Sequence, residues 1–173
     1  MTTTDKLRRH YDTLTPTERI ALIVEAFGKG DETELESLGR TCPQYHYKAK
    51  DMDVVRGLEA MFDVVHVTVI EIQDYIITYL LITNALDKDG GLPWEKAIEG
   101  RNIAASLILT TWNAFRTVCK DHGLEPEKVL EAAKCPLPDA FEIILKLHPH
   151  MEPNEKIGTQ LLEAFRSVWK VAA

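Results

Sequence analysis

Cysteine is scarce, and the few present do not pair. Cys42, Cys119 and Cys135 form an odd set with no C-x-x-C spacing, which excludes a disulfide framework and gives no support to a zinc site. Free thiols fit a reducing cytoplasm. Basic residues are short as well: 20 Lys and Arg stand against 27 Asp and Glu, a net charge of −7. The deficit comes entirely from residues 51 to 100, where three basic side chains face ten acidic ones. A duplex-binding face needs several cations to neutralise phosphates, so direct DNA binding through this part of the chain is not expected. Long uncharged runs are missing too. The longest, 75–86 and 102–115, fall short of the roughly 20 apolar residues that span a bilayer. Lys6, Arg8 and Arg9 have no apolar run behind them, unlike a secretory signal. No P-loop, dinucleotide fingerprint or nucleophile elbow is present. The expectation is a soluble cytoplasmic protein, without membrane or cofactor, forming one domain over residues 1–173.

No glycine or proline lies between Gly57 and Gly90, and that uninterrupted stretch is the organising element. Val55, Leu58, Phe62, Val65, Val69, Ile72, Ile76, Tyr79, Thr83 and Leu86 recur at alternating spacings of three and four, the period of a helix seam. Met61, Val64, Val67, Ile70, Ile77, Leu80, Leu81 and Ile82 widen the stripe until the later turns are apolar nearly all round, which predicts neighbours on more than one side. Residues 64–72 and 75–83 are also rich in strand-forming types, but Gln73-Asp74 between them lacks hairpin chemistry. A central helix is expected, with a bend near Gly57 or Gln73.

Before it, residues 5–13 read as a short leading helix. Thr15-Pro16-x-Glu18 then combines a capping hydroxyl, a proline where its missing N–H is harmless and the acid of a capping box. A helix follows, carrying Ile20, Leu22, Ile23 and Phe27, and a short one over 32–39 comes next. This helix, turn, helix order resembles a DNA-reading motif, but Glu32, Glu34 and Glu36 have only Arg40 to offset them. After the central helix, Asp87 to Pro93 fails the register of a calcium loop, since the first and twelfth positions would be Ala85 and Lys96. It reads as a turn into a helix over 94–122 carrying Ile98, Ala105, Ile108, Trp112, Phe115 and Cys119, antiparallel to the central one. Short helices are predicted over 126–134 and 139–148, broken by Cys135-Pro136-Leu137-Pro138 and His148-Pro149-His150. A final helix over 154–171 places Ile157, Leu161, Phe165, Val168 and Trp169 on one stripe.

The strongest chemical candidate is Glu59, Asp63 and His66, three potential metal ligands on one helix face. Di-iron bundles use such a pattern, but they need a second copy on other helices, and none exists. Glu95 and Glu99 belong to the next helix, at the wrong end of the hairpin. The plainer account of His66 is a half-buried histidine bonded to Asp63 or water. His148 and His150 flank a proline in a loop and could hold an adventitious metal. Trp94, Trp112, Phe141 and Trp169 are the candidates for an exposed apolar interface, because the short helices offer little cover.

Leu14-Thr15-Pro16-x-Glu18-Arg19, Gly30-Asp31-Glu32 followed by Thr41-Cys42-Pro43, and Gly123-Leu124-Glu125-Pro126-Glu127 resemble patches of a group of uncharacterised bacterial hypothetical proteins. The resemblance implies a bacterial, helical, intracellular protein and carries over no functional residue. The fold expected is all-α, a helical bundle around a long central helix and an antiparallel helix hairpin. The function expected is that of a non-enzymatic binding or accessory protein acting through a helix face, as a homodimer or with another protein. The alternatives are a metal-dependent enzyme using Glu59, Asp63 and His66, and a nucleic-acid-associated protein with a basic patch drawn from Lys6, Arg8, Arg9, Arg19 and Arg40.

Overall fold

A computed structural model describes residues 49–86 and 92–169, with side chains described from residue 60 in the first helix. The described residues form α1 (Ala49–Leu86), α2 (Trp94–Asp121), α3 (Pro126–Ala132), α4 (Ala140–Leu147) and α5 (Glu155–Val168), and they contain no strand. The fold is all-α. The helices expected over 5–13, 15–28 and 32–39, the loop that follows them with Cys42, the basic patch, and the 87–91 turn lie outside the described residues.

At 38 residues, α1 is roughly 57 Å long. It runs as helix through both Gly57 and Gln73. The strand-forming character of 64–83 is overridden because a three-four seam gives the segment a helical packing partner. Val65, Val69, Ile72, Ile76 and Tyr79 of that seam are buried, with Met61 and Val64 beside them, each contributing roughly 1.5–3 kcal/mol of apolar transfer. Thr68 is fully buried without penalty, since its hydroxyl donates to the Val64 carbonyl at 2.8 Å.

The partner is α2, antiparallel as the seams require. Ile82 near the end of α1 meets Gly100 near the start of α2 so closely that a Cβ at Gly100 would lie 2.9 Å from the Ile82 Cδ1. Although α1 is the longest helix, α2 is the hub, packing against each of the other four. Its Ala104, Ala105, Ile108, Trp112, Phe115, Val118 and Cys119 are core.

Local signals set the breaks. Gly123, at φ +68, ends α2 in a Schellman motif: its N–H donates to the Lys120 carbonyl and the Leu124 N–H to the Cys119 carbonyl, both at 3.0 Å. The end of α3 repeats this geometry, from Lys134 N–H to Glu131 and from Cys135 N–H to Leu130, with Lys134 at φ +53 where glycine is usual. Asn154 caps α5 by accepting from the Ile157 N–H at 3.0 Å, and its own N–H donates to Thr110 Oγ1 at 2.8 Å, which fastens the start of α5 to α2. On α5 the inward residues are Leu161, Leu162, Phe165 and Trp169, while Ile157 and Val168 are exposed. The buried stripe is therefore rotated slightly from the expected one.

Candidate functional site

The largest departure from the sequence reading lies on the outer face of α1. Val67, Ile70, Ile77, Leu80 and Leu81 were expected to be covered, yet they are 41–64% exposed. Four of them belong to a second stripe, Asp63, Val67, Ile70, Asp74, Ile77 and Leu81, whose spacings of four and three place it on one line along the helix. All six are exposed. Between residues 60 and 85 the only charged side chains are Asp63, Glu71 and Asp74, so this face is apolar and acidic with no cation of its own.

The stretch Ala60–Ala85 is also long and apolar enough, by length and composition, to cross a membrane, with mean hydropathy 1.4 and 33% of its apolar window buried inside the protein. The uncharged-run count misses this because isolated acids interrupt the run without abolishing its mean hydropathy.

Asp63 and His66 are both exposed, and no hydrogen bond or ion pair joins them among the described contacts. With Phe62, Ala133 and Cys135 they line a shallow cavity of about 310 Å³. Among the described residues no group of three His, Cys, Asp or Glu stands close enough to hold a metal. Glu59 lies in α1 one turn before Asp63, outside the residues whose side chains are described. Glu95 and Glu99 line a different cavity, between α2 and the start of α5, with Ser106, Met151 and Asn154. The antiparallel hairpin keeps them from Asp63 and His66, as the chain order requires.

The expected interface residues divide. Trp94 is 63% exposed, but Trp112, Phe141 and Trp169 are buried in this chain's own core. Trp112 and Phe141 meet edge to face with centroids 5.3 Å apart, and Trp169 stacks on His122 at 3.9 Å. The short helices cover these rings well because α2 offers each of them a seat. The four residues therefore do not assemble into one surface patch.

Two histidines act as fastenings. His122 Nε2 hydrogen-bonds the Trp169 carbonyl at 3.0 Å, and burial pushes its pKa below the usual value despite that bond and nearby Asp121. Asp121 in turn accepts two bonds from the Arg166 guanidinium, at 2.6 and 3.2 Å, which hold its carboxyl below the ordinary range. His148, expected in a loop, shares a 2.8 Å hydrogen bond with the Tyr79 hydroxyl, tying α4 to α1. Arg101 lies over the Tyr79 ring at 5.9 Å, and burial together with that cation lowers the His148 pKa. His150 is exposed. Cys119 is fully buried, its thiol pushed up to about 12, so it is not a nucleophile at neutral pH. No family model, curated protein or solved structure matches the chain.

Proposed function

We propose that this is a non-enzymatic binding protein that acts through the outer stripe of α1, and that it takes a basic amphipathic helix of another protein. The observation that carries this reading is the alternation along the stripe: apolar side chains at Val67, Ile70, Ile77 and Leu81, with carboxylates at Asp63 and Asp74 and no Lys or Arg among residues 60–85 of α1. A partner helix laid along it would bury apolar residues at three-four spacing and place two Lys or Arg about eleven residues, or roughly 16 Å, apart. Covering each half-exposed Val, Ile or Leu recovers on the order of 1 kcal/mol. The four side chains together give on the order of 4 kcal/mol before the cost of association, so the binding they support is weak, on the order of millimolar.

Charge separates this reading from its rivals. A second copy brings no Lys or Arg from residues 60–85 to pair with Asp63 and Asp74, so a homodimer on this face leaves these carboxylates uncompensated. Insertion into a bilayer would take Glu71 and Asp74 near the centre of the span, where an acidic residue costs about 3 kcal/mol. The metal-dependent alternative draws no support from the described residues, among which no three His, Cys, Asp or Glu stand close enough to hold a metal.

The test is the anisotropy of a labelled synthetic helix bearing Leu and Ile at three-four spacing and two Lys eleven residues apart. Saturable, salt-weakened binding is expected. The Asp63→Lys, Asp74→Lys double variant should instead prefer the same helix with Glu in place of both Lys. No binding, or binding indifferent to the charge swap, would overturn the proposal. A doubled mass at micromolar concentration without peptide would place a second copy on the face instead.

A further inference from the structure

A second feature, independent of the α1 stripe, is a cleft of about 760 Å³ between α3, the turn after it and the start of α4. That volume is within the range of small-molecule sites, roughly 300–1,000 Å³. Its floor is apolar: the nearly covered margins of Trp112 and Phe141, with Leu137 beside them. Its rim has one dominant sign. Glu127 and Glu131 stand one turn apart on α3, Asp139 and Glu142 stand at the start of α4, and all four are exposed carboxylates lining the cleft. Lys134 is the one cation among the lining residues, which leaves a strong negative excess around an aromatic floor.

The walls are stiff. Pro136 and Pro138 fix their own φ and offer no N–H for competing bonds, and the Phe141 N–H donates to the Pro138 carbonyl at 3.0 Å. Lys134 at φ +53 holds the turn in a conformation that costs an L residue roughly 1–2 kcal/mol. A cleft whose walls are already ordered loses little entropy when a ligand enters.

We propose that this cleft binds an organic cation, a protonated or quaternary amine carried on an apolar body the size of one or two aromatic rings. The apolar body covers the Trp112, Phe141 and Leu137 floor. The ammonium lies between the two carboxylate pairs, whose shared sign favours a cation over any other polar group. An anion of the same shape meets the rim's negative excess and is rejected. A neutral molecule gains the floor alone.

Benzyltrimethylammonium chloride is the probe, 3-phenylpropionate the anionic counterpart, and the indole N–H resonance of Trp112 the readout, assigned by its loss in Trp112→Phe. Benzyltrimethylammonium should shift that resonance saturably at millimolar concentration, and 3-phenylpropionate should not. The Glu131→Gln, Asp139→Asn double variant, altered only at exposed positions, should bind about tenfold more weakly. Asp63→Asn with Asp74→Asn should bind like the parent, which separates this cleft from the α1 stripe. Equal response to the anion, an unchanged affinity in the Glu131 and Asp139 variant, or no saturable shift would overturn the assignment. A response to a peptide bearing Lys and Phe but none to benzyltrimethylammonium would overturn it in favour of a protein ligand.

Discussion

Ile76 and Ile77 are chemically identical neighbours on the inner and the outer stripe of α1, 4% and 54% exposed, and replacing each by Asp isolates what the inner seam contributes. At Ile76 the change removes a buried side chain worth roughly 1.5–3 kcal/mol. It also places an unpaired carboxylate in the core, a penalty on the order of 3–5 kcal/mol for an uncompensated buried charge. Part of that second cost is avoided if the carboxyl stays protonated, so a net loss of about 4–5 kcal/mol is reasonable, comparable to the whole stability of a modest domain. At Ile77 the same change exposes no new apolar surface and leaves the charge hydrated, which limits the loss to about 0.5 kcal/mol. Urea unfolding followed by far-ultraviolet circular dichroism at pH 7.5 reads both. The Ile76→Asp deficit should shrink as pH falls, because a buried carboxyl has a raised pKa and its neutral form is cheaper to bury. An Ile77→Asp loss equal to or larger than that of Ile76→Asp would refute the assignment of inner and outer faces.

Three further outcomes follow from individual contacts. The folded pKa values of His122 and His148 are depressed, so the neutral forms are the ones the fold holds: their contribution is complete above the unfolded value near 6.5 and is lost as pH falls through the lower folded values. His122→Gln, which keeps a donor for the Trp169 carbonyl, should flatten the slope of stability against pH below about 6.5, and an unchanged slope would show that His122 does not titrate with unfolding. Lys134→Gly should stabilise by about 1 kcal/mol by relieving the left-handed backbone, measured as a rise in Tm; a fall would mean that the lysine's own interactions outweigh the strain. Asn154→Ala should cost about 1 kcal/mol, since it removes the cap on the Ile157 N–H, and an unaltered urea midpoint would show the α5 start to be held by Thr110 alone.

The helical skeleton was legible because independent signals agreed. The α1 and α2 seams, the glycine after α2 and the proline breaks around α4 each carry their own local physics, and the described structure follows them to within a few residues. The end of α3 came two residues early because Lys134 adopts the conformation that Gly123 adopts at the end of α2, and a lysine gives no sequence sign of that. The outer face of α1 was misread for a different reason. Apolar residues all round a helix suggest burial all round, and only register separates the two stripes. The sign was present in the charges: Asp63 and Asp74 fall on the outer line, and no charged residue falls between Phe62 and Thr83 on the inner one. The same lack of three-dimensional register made Trp112, Phe141 and Trp169 look like surface candidates, because burial by α2 depends on where the short helices dock. Contact between Cys135 and the cavity of Asp63 and His66 joins residues about seventy positions apart, and no local pattern encodes it.

The most direct measurement of the proposed role is methyl NMR of isotope-labelled Ile, Leu and Val during titration with the two-lysine helix. Saturable shifts are expected at Val67, Ile70, Ile77 and Leu81, with the inner methyls of Val65, Val69, Ile72 and Ile76 moving little. Shifts concentrated on the inner methyls or on α5, or none that saturate, would contradict the assignment of α1's outer stripe as the surface through which this protein acts.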